Sequence, residues 1–210
     1  MQTKLIRISL LLASVLTFSS LAPSQGEFLR KGESGAGVSS GFSTITSSAE
    51  GANSVDFSVG VSLKSLVDLN VAYAKQHPPD ANIIVPGISY FISRQDKEVD
   101  ETVALSLLFR HVSGGQALVS NSLGLGLSVA HNFLSEGNVI LQPNFSFVIY
   151  PVHGQESETV SGAAAGLSAG MRFGAGHCVV VTPSVGYQSG NVSVGASIAF
   201  VASFGPIGGS

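Results

Sequence analysis

Between Arg110 and Gly114 the chain reads RHVSG, which sets a histidine two residues ahead of a serine. A neutral imidazole can take the proton of a neighbouring hydroxyl and leave it nucleophilic, the opening step of acyl transfer. On a strand, residues two apart share a face, so His111 and Ser113 would stand on the same side. A group to orient the base is not supplied nearby: Gly114 follows the serine, and no Asp or Glu stands between Glu101 and Glu136. His77, His131, His153 and His177 lack metal-ligand spacing, so no metal site is expected. The glycine-rich GLGLGLS at 124 has no helical pattern after it and is no phosphate cradle, so no cofactor is expected either. Cys178 is the only cysteine, which excludes an intramolecular disulfide.

A second set of polar residues is spread along the chain: Asp56, Asp68, Asn70, Arg110, Gln142, Asn144, Arg172 and Gln188. Opposed charges enclosed together either pair and fill the space or line a narrow pore and select ions by their field. What encloses them depends on the elements that carry them.

Those elements alternate with period two. From Val55 to Tyr73, Val55, Phe57, Val59, Val61, Leu63, Val67, Leu69, Val71 and Tyr73 occupy odd positions, and the even ones carry Asp56, Ser58, Gly60, Ser62, Asp68 and Asn70. That is the signature of strands with one apolar face. The pattern returns at Ile88–Ile92, Val103–Phe109, Leu123–Val129, Val139–Ile149, Ala165–Phe173, Val179–Tyr187 and Val192–Phe204, with Phe91 and Leu108 as exceptions. With a weaker strand near Gly35 to Thr46, about ten strands result. Paired residues of a hairpin point to one side, so odd loops keep the apolar parity and even loops flip it. Lys64-Ser65-Leu66 and Ser135-Glu136-Gly137 are therefore expected as three-residue turns, and Ser189-Gly190 as a two-residue turn. Further connections are expected at Ala175–His177, Gln76–Asn82, Val112–Asn121 and Pro151–Thr159. The charged block RQDKEVDE at 94–101 falls on the same side as the short turns. Pro86, Pro143 and Pro183 each precede an apolar–small–aromatic echo (VPGISY, QPNFSF, TPSVGY) and are expected to mark bulges in the wall.

The non-apolar face is mostly Gly, Ser, Ala and Asn with few charges, unlike the solvated face of a soluble sandwich. A closed transmembrane barrel accounts for it: hydrocarbon takes the Val/Leu/Phe face, closure satisfies the backbone, and small and polar residues line the inside. Tyr73, Phe133, Phe173, Tyr187 and Phe204 lie near strand ends, as interfacial girdles do. At the N-terminus, Lys4 and Arg7 precede the apolar stretch Ile8–Leu16 and small residues from Ala22 to Gly26, the layout of a secretory signal peptide cut after Ser24 or Gly26. The organisation read from the sequence is a signal peptide over 1–26, a barrel over 27–204 and a short tail over 205–210. Removing Lys4 and Arg7 from the 10 Lys+Arg leaves 8 against 13 Asp+Glu, a net charge near −5 that argues against a nucleic-acid partner.

Together, the signal peptide, the repeated hairpins and the final run SIAFVASF resemble small outer-membrane β-barrel proteins of Gram-negative bacteria. The final run is similar to the C-terminal signal recognised by the barrel-assembly machinery, with Phe204 in the terminal aromatic place and GPIGGS following it. The resemblance implies export through the Sec pathway, insertion by that machinery, and outer-membrane lipid as the surrounding partner. It implies an all-β, antiparallel up-and-down barrel of about ten strands acting as a structural or surface protein or a narrow passive channel. His111 and Ser113 resemble the His-x-Ser pair of outer-membrane lipid A deacylases, which implies a barrel enzyme as one alternative, with the family's following Asn and acidic partner missing here. A secreted soluble β-sandwich binding protein is the other alternative.

Overall fold

In the computed structural model, the described residues are 25–45, 52–77, 80–96, 98–114, 120–134, 137–151, 159–188 and 191–206. The chain forms ten antiparallel strands: β1 (Glu33–Ile45), β2 (Ala52–Leu63), β3 (Val67–His77), β4 (Ala81–Ser93), β5 (Thr102–Ser113), β6 (Ser120–Ala130), β7 (Val139–Pro151), β8 (Thr159–Phe173), β9 (His177–Gln188) and β10 (Asn191–Pro206). Each strand pairs with the next, and β1 pairs with β10, so the sheet closes into an up-and-down barrel without an edge. Closure is what permits such a sheet to stand in hydrocarbon, where an unpaired backbone group has no water to bond. The strands run from 11 to 16 residues, enough to meet the roughly 9–11 that a tilted strand needs to cross a bilayer.

Side-chain direction follows the sequence alternation. On β2 the even residues Ser54, Asp56, Ser58 and Ser62 are buried while Val55, Phe57, Val59 and Val61 are exposed. The apolar face therefore points outward all round: Leu69, Ile88, Leu107, Leu125, Phe145, Leu167, Val181 and Ile198 are all exposed. A soluble sandwich would bury that face, so the exposed belt identifies a wall built for lipid. No helix among the described residues is long and apolar enough to cross a membrane; the crossing elements are strands.

The register bears out the parity argument. Leu63 pairs with Val67 around a three-residue turn at Lys64–Leu66. Both Lys64 (φ 52°) and Ser65 (φ 48°) adopt the left-handed conformation there, and the Leu66 N–H donates to the Leu63 carbonyl at 2.9 Å. The equivalent turn between β8 and β9 is Gly174–Gly176, one residue earlier than expected, with glycine supplying both positive φ values. Asn191 pairs with Gln188, as a two-residue connection requires, although Ser189 and Gly190 lie outside the described residues. Ala130 pairs with Asn144, so the stretch 131–143 between them has an odd length and keeps the apolar parity. Ser135 and Glu136, two residues of that expected turn, also fall outside the described residues.

Two expectations are corrected. The prolines are not bulges: Pro86 pairs with Val71, Pro143 with Leu167 and Pro183 with Ala196 in unbroken register. Register shifts occur instead at Ser34/Gly35 and Phe91/Ser93, near the ends of β1 and β4. Proline tolerates a strand position as long as no ladder bond is asked of its nitrogen. The barrel also runs past its expected end, since β10 continues two residues beyond Phe204 to pair Gly205 and Pro206 with Ser34 and Glu33.

Candidate functional site

Among the described residues, the candidate side chains fall in two places, the lumen and one sector of the outer wall. Asp56, Asp68, Arg110, Gln142 and Arg172 are buried on the inner wall, and Asn70 and Asn144 are half-buried there. Strand alternation puts them inside, because their neighbours on both sides along each strand face out. For Gln188 the backbone register is described but not the side chain.

These polar groups do not form one constellation. Asp68 lies near the end that carries the short turns, and Asp56 near the opposite end, since β3 leaves the turn that β2 enters. Between them runs a band of small hydroxyl and amide side chains joined strand to strand. Ser39 meets Ser58 at 2.7 Å, Ser89 meets Ser106 at 2.8 Å, and Ser168 bonds both Asn144 (3.0 Å) and Thr182 (2.9 Å).

Apolar side chains occupy the lumen above and below that band. Toward the loop end Ile83, Val85, Leu108, Val112, Val148 and Tyr150 pack together. Tyr150 lies over Gly124, where an added Cβ would meet its ring at 2.5 Å, and it is the electrostatic neighbour of Arg110. Toward the turn end Ile140, Cys178, Val180 and Val201 pack with Phe28 and Leu29. Cys178 is thus a buried apolar filler. Phe91 and Leu108, the two exceptions to the alternation, both point inward, so their parity is that of the lumen and their apolar character fills it.

At the turn end the lumen is stopped by residues that the sequence reading assigns in part to the leader. A single 3₁₀ turn, η1 (Gln25–Phe28), sits inside the barrel with all four residues buried. Gln25 Nε2 donates to the Gly37 carbonyl and the Gly26 N–H to Asp68 Oδ2, each at 2.7 Å. Ser128 Oγ lies 3.4 Å from Glu27 Oε1, and Arg172 Nη2 lies 3.4 Å from the Phe28 carbonyl. Two residues of the charged block, Arg94 and Asp96, cap this end of the barrel. Arg94 Nη2 donates to the Leu29 carbonyl at 2.6 Å, and its guanidinium lies 4.6 Å from the Phe91 ring centroid. Asp96 pairs with Lys31 and accepts from the Glu98 and Val99 N–H groups at 2.8 and 2.9 Å. Those bonds hold the Asp96 carboxyl down to about 2, the Lys31 hydrogen bond contributing most. The signal for the plug was Phe28-Leu29, an apolar pair just ahead of β1, between the charged Glu27 and Arg30.

His111 and Ser113 do stand on the outer wall, at the loop end of β5. The His111 Nδ1 is paired with Asn121 Oδ1 on β6 at 2.7 Å, and Ser113 lies opposite Asn82 on β4. Asn82 Oδ1 accepts from the Tyr73 hydroxyl at 2.8 Å. Asp80, which follows β3 at this end, is engaged with His77 at 2.8 Å. Among the described residues no group of three or more His, Cys, Asp or Glu could hold a metal ion.

No family model and no curated protein matches the sequence. Solved structures of similar shape include the β domain of the Bordetella autotransporter BrkA, at 11% identity and TM-score 0.49, covering 84% of this chain and 100% of that one. The translocator domain of the autotransporter NalP from Neisseria meningitidis is similar at 12% identity and TM-score 0.42, covering 90% and 98%. The KdgM porin, solved with disordered oligogalacturonate, is similar at 12% identity and TM-score 0.39, covering 80% and 98%. At these identities and scores nothing in those proteins is carried over to this chain.

Proposed function

We propose that this chain is a Gram-negative outer-membrane barrel that acts as a structural, surface-exposed protein and not as an open channel. The observation that carries this reading is the filled lumen. An apolar layer at the loop end, a hydroxyl and amide band, and an apolar layer sealed by Gln25–Phe28 follow one another along the axis. A conducting pore needs a continuous wetted path, and the apolar layers packed on either side of the hydroxyl band interrupt one. The charged groups Arg110 and Arg172 lie inside this packing, so their role is to fill it. The exposed apolar belt supports lipid as the surrounding medium.

The test is reconstitution in planar bilayers at both voltage polarities. The filled barrel gives no stable conductance steps. Reproducible steps whose size or ion selectivity changes in Arg110→Gln or Arg172→Gln would establish the channel instead.

A further inference from the structure

On the membrane-barrel reading, we infer that an outward row of Lys75, Asn82 and Ser113, with His111 and Asn121 beside it, binds the phosphate of an anionic lipid in the loop-side leaflet. Lys75 lies directly opposite Asn82, and Asn82 directly opposite Ser113, so β3, β4 and β5 bring the three together. His111 stands two residues before Ser113 on the same face, opposite Asn121 on β6. Alternation turns these side chains away from the lumen, since their chain neighbours Ala74, Ile83 and Val112 are buried. Opposed side chains on one face begin about 5 Å apart, so a single phosphate group can reach two or three of them.

The hydrogen bonds within this sector decide what it offers a ligand. Asn82 Oδ1 accepts from the Tyr73 hydroxyl at 2.8 Å, and Asn121 Oδ1 is bonded to His111 Nδ1 at 2.7 Å. Both amide oxygens are thus engaged, and the amide NH2 groups remain as donors beside the Ser113 hydroxyl and the Lys75 ammonium. Among the described residues no carboxylate pairs with Lys75, and Asp80 is held by His77 at 2.8 Å. Several donors around one positive charge suit the oxygens of a phosphate. Toward the middle of the wall, Ile84, Phe109 and Leu123 follow Asn82, His111 and Asn121 on the same face and are exposed. Acyl chains lying on those three bring the headgroup of the same molecule to the row, which makes the occupant a lipid. Across the barrel, the loop-end wall carries Thr44, Ser161, Tyr187 and Val194 outward, with neither a charge nor an amide among them. An interfacial girdle runs all round a barrel, whereas these donors are gathered on β3 to β6, as a contact with one bound molecule requires.

Native mass spectrometry tests the site on the full-length gene product, purified in detergent micelles and offered equal amounts of dioleoyl phosphatidic acid and dioleoyl phosphatidylcholine. The gel shift between unheated and heated samples checks that each variant is folded. One phosphatidic acid should be retained with a preference of about fivefold, the difference a single lysine makes at an anionic lipid surface. Asn82→Leu removes an amide donor without changing the charge and should abolish most of that preference, while Lys75→Arg should keep it. Ser113→Ala repeats the neutral test should Asn82→Leu fail to fold. Equal retention of the two lipids by the parent overturns the site. A preference unchanged in both neutral variants also overturns it, because only unspecific charge attraction would then be at work. Complete displacement of the lipid by inorganic phosphate would make a free anion the occupant and refute the lipid. A chain recovered from the aqueous fraction refutes the barrel reading and the site together, whereas a folded membrane barrel without the preference refutes the site alone.

Discussion

Leu125→Arg separates a lipid-facing wall from a water-facing one, because the two environments assign the substitution different costs. Leu125 stands midway along β6 with 67% of its surface exposed, between Leu107 on β5 and Ile149 on β7. Only about a third of the side chain is covered by protein. Of the roughly 1.5–3 kcal/mol that full burial of a leucine contributes, at most about 1 kcal/mol is therefore at stake in protein contacts. The aliphatic stem of arginine recovers part of that. In water the change should thus fall within about 1 kcal/mol. At the middle of a bilayer, an arginine on the lipid face costs about 2–4 kcal/mol. With about 1.4 kcal/mol per factor of ten, that lowers the folded-to-unfolded ratio roughly 30- to 1,000-fold. The assay is urea-dependent folding into phosphatidylcholine vesicles, followed by the gel shift between unheated and heated samples. Lys75→Arg, at the loop end of β3, is the control and should change stability by less than about 1 kcal/mol. If Leu125→Arg folds as well as the parent in vesicles, hydrocarbon does not contact this face and the membrane assignment fails.

Other outcomes follow from the interior. Phe91→Ala should cost about 3–5 kcal/mol, since Phe91 is 1% exposed and touches both the plug glycine Gly26 and Arg94; a loss below about 1 kcal/mol in urea titration would show that nothing packs there. Gly170→Val should abolish the heat-modifiable band, because even a Cβ at Gly170 would lie 2.1 Å from the Val179 carbonyl oxygen on β9. Ala169→Val, one residue away on the exposed face, should leave that band intact, and equal behaviour of the two variants would refute the close approach of β8 and β9. Lys31→Ala should raise the Asp96 midpoint from about 2 toward the ordinary carboxylate range, read by NMR titration of the side-chain carbonyl in micelles. The sign is that of a depressed acid: the Asp96 bonds help hold the cap above the ordinary carboxylate pKa and are lost as pH falls through about 2. An unmoved midpoint would remove the ion pair from the account.

The wall was legible in the sequence because a strand has period two and lipid demands a uniformly apolar outer face. Val55 to Tyr73 spelled out two strands and the turn between them through parity alone, and the same counting placed the flip at Ser189-Gly190. The burial of Asp56, Asp68 and Arg110 followed from their positions in the alternation. Parity is a local property, readable wherever neighbours along the chain are also neighbours across a turn. What fills the barrel is different in kind. Gln25 meets Gly37, Arg94 reaches Leu29, and Arg172 approaches Phe28 only because β1 closes on β10 and encloses them together. Phe91 and Leu108 read as breaks in a pattern until closure gave them an interior to occupy. The proline echoes looked like bulges, but a closed ladder held them in register. Periodicity along one chain determines which way each side chain faces; which side chains meet inside depends on contacts between residues far apart in sequence, and closure alone creates those.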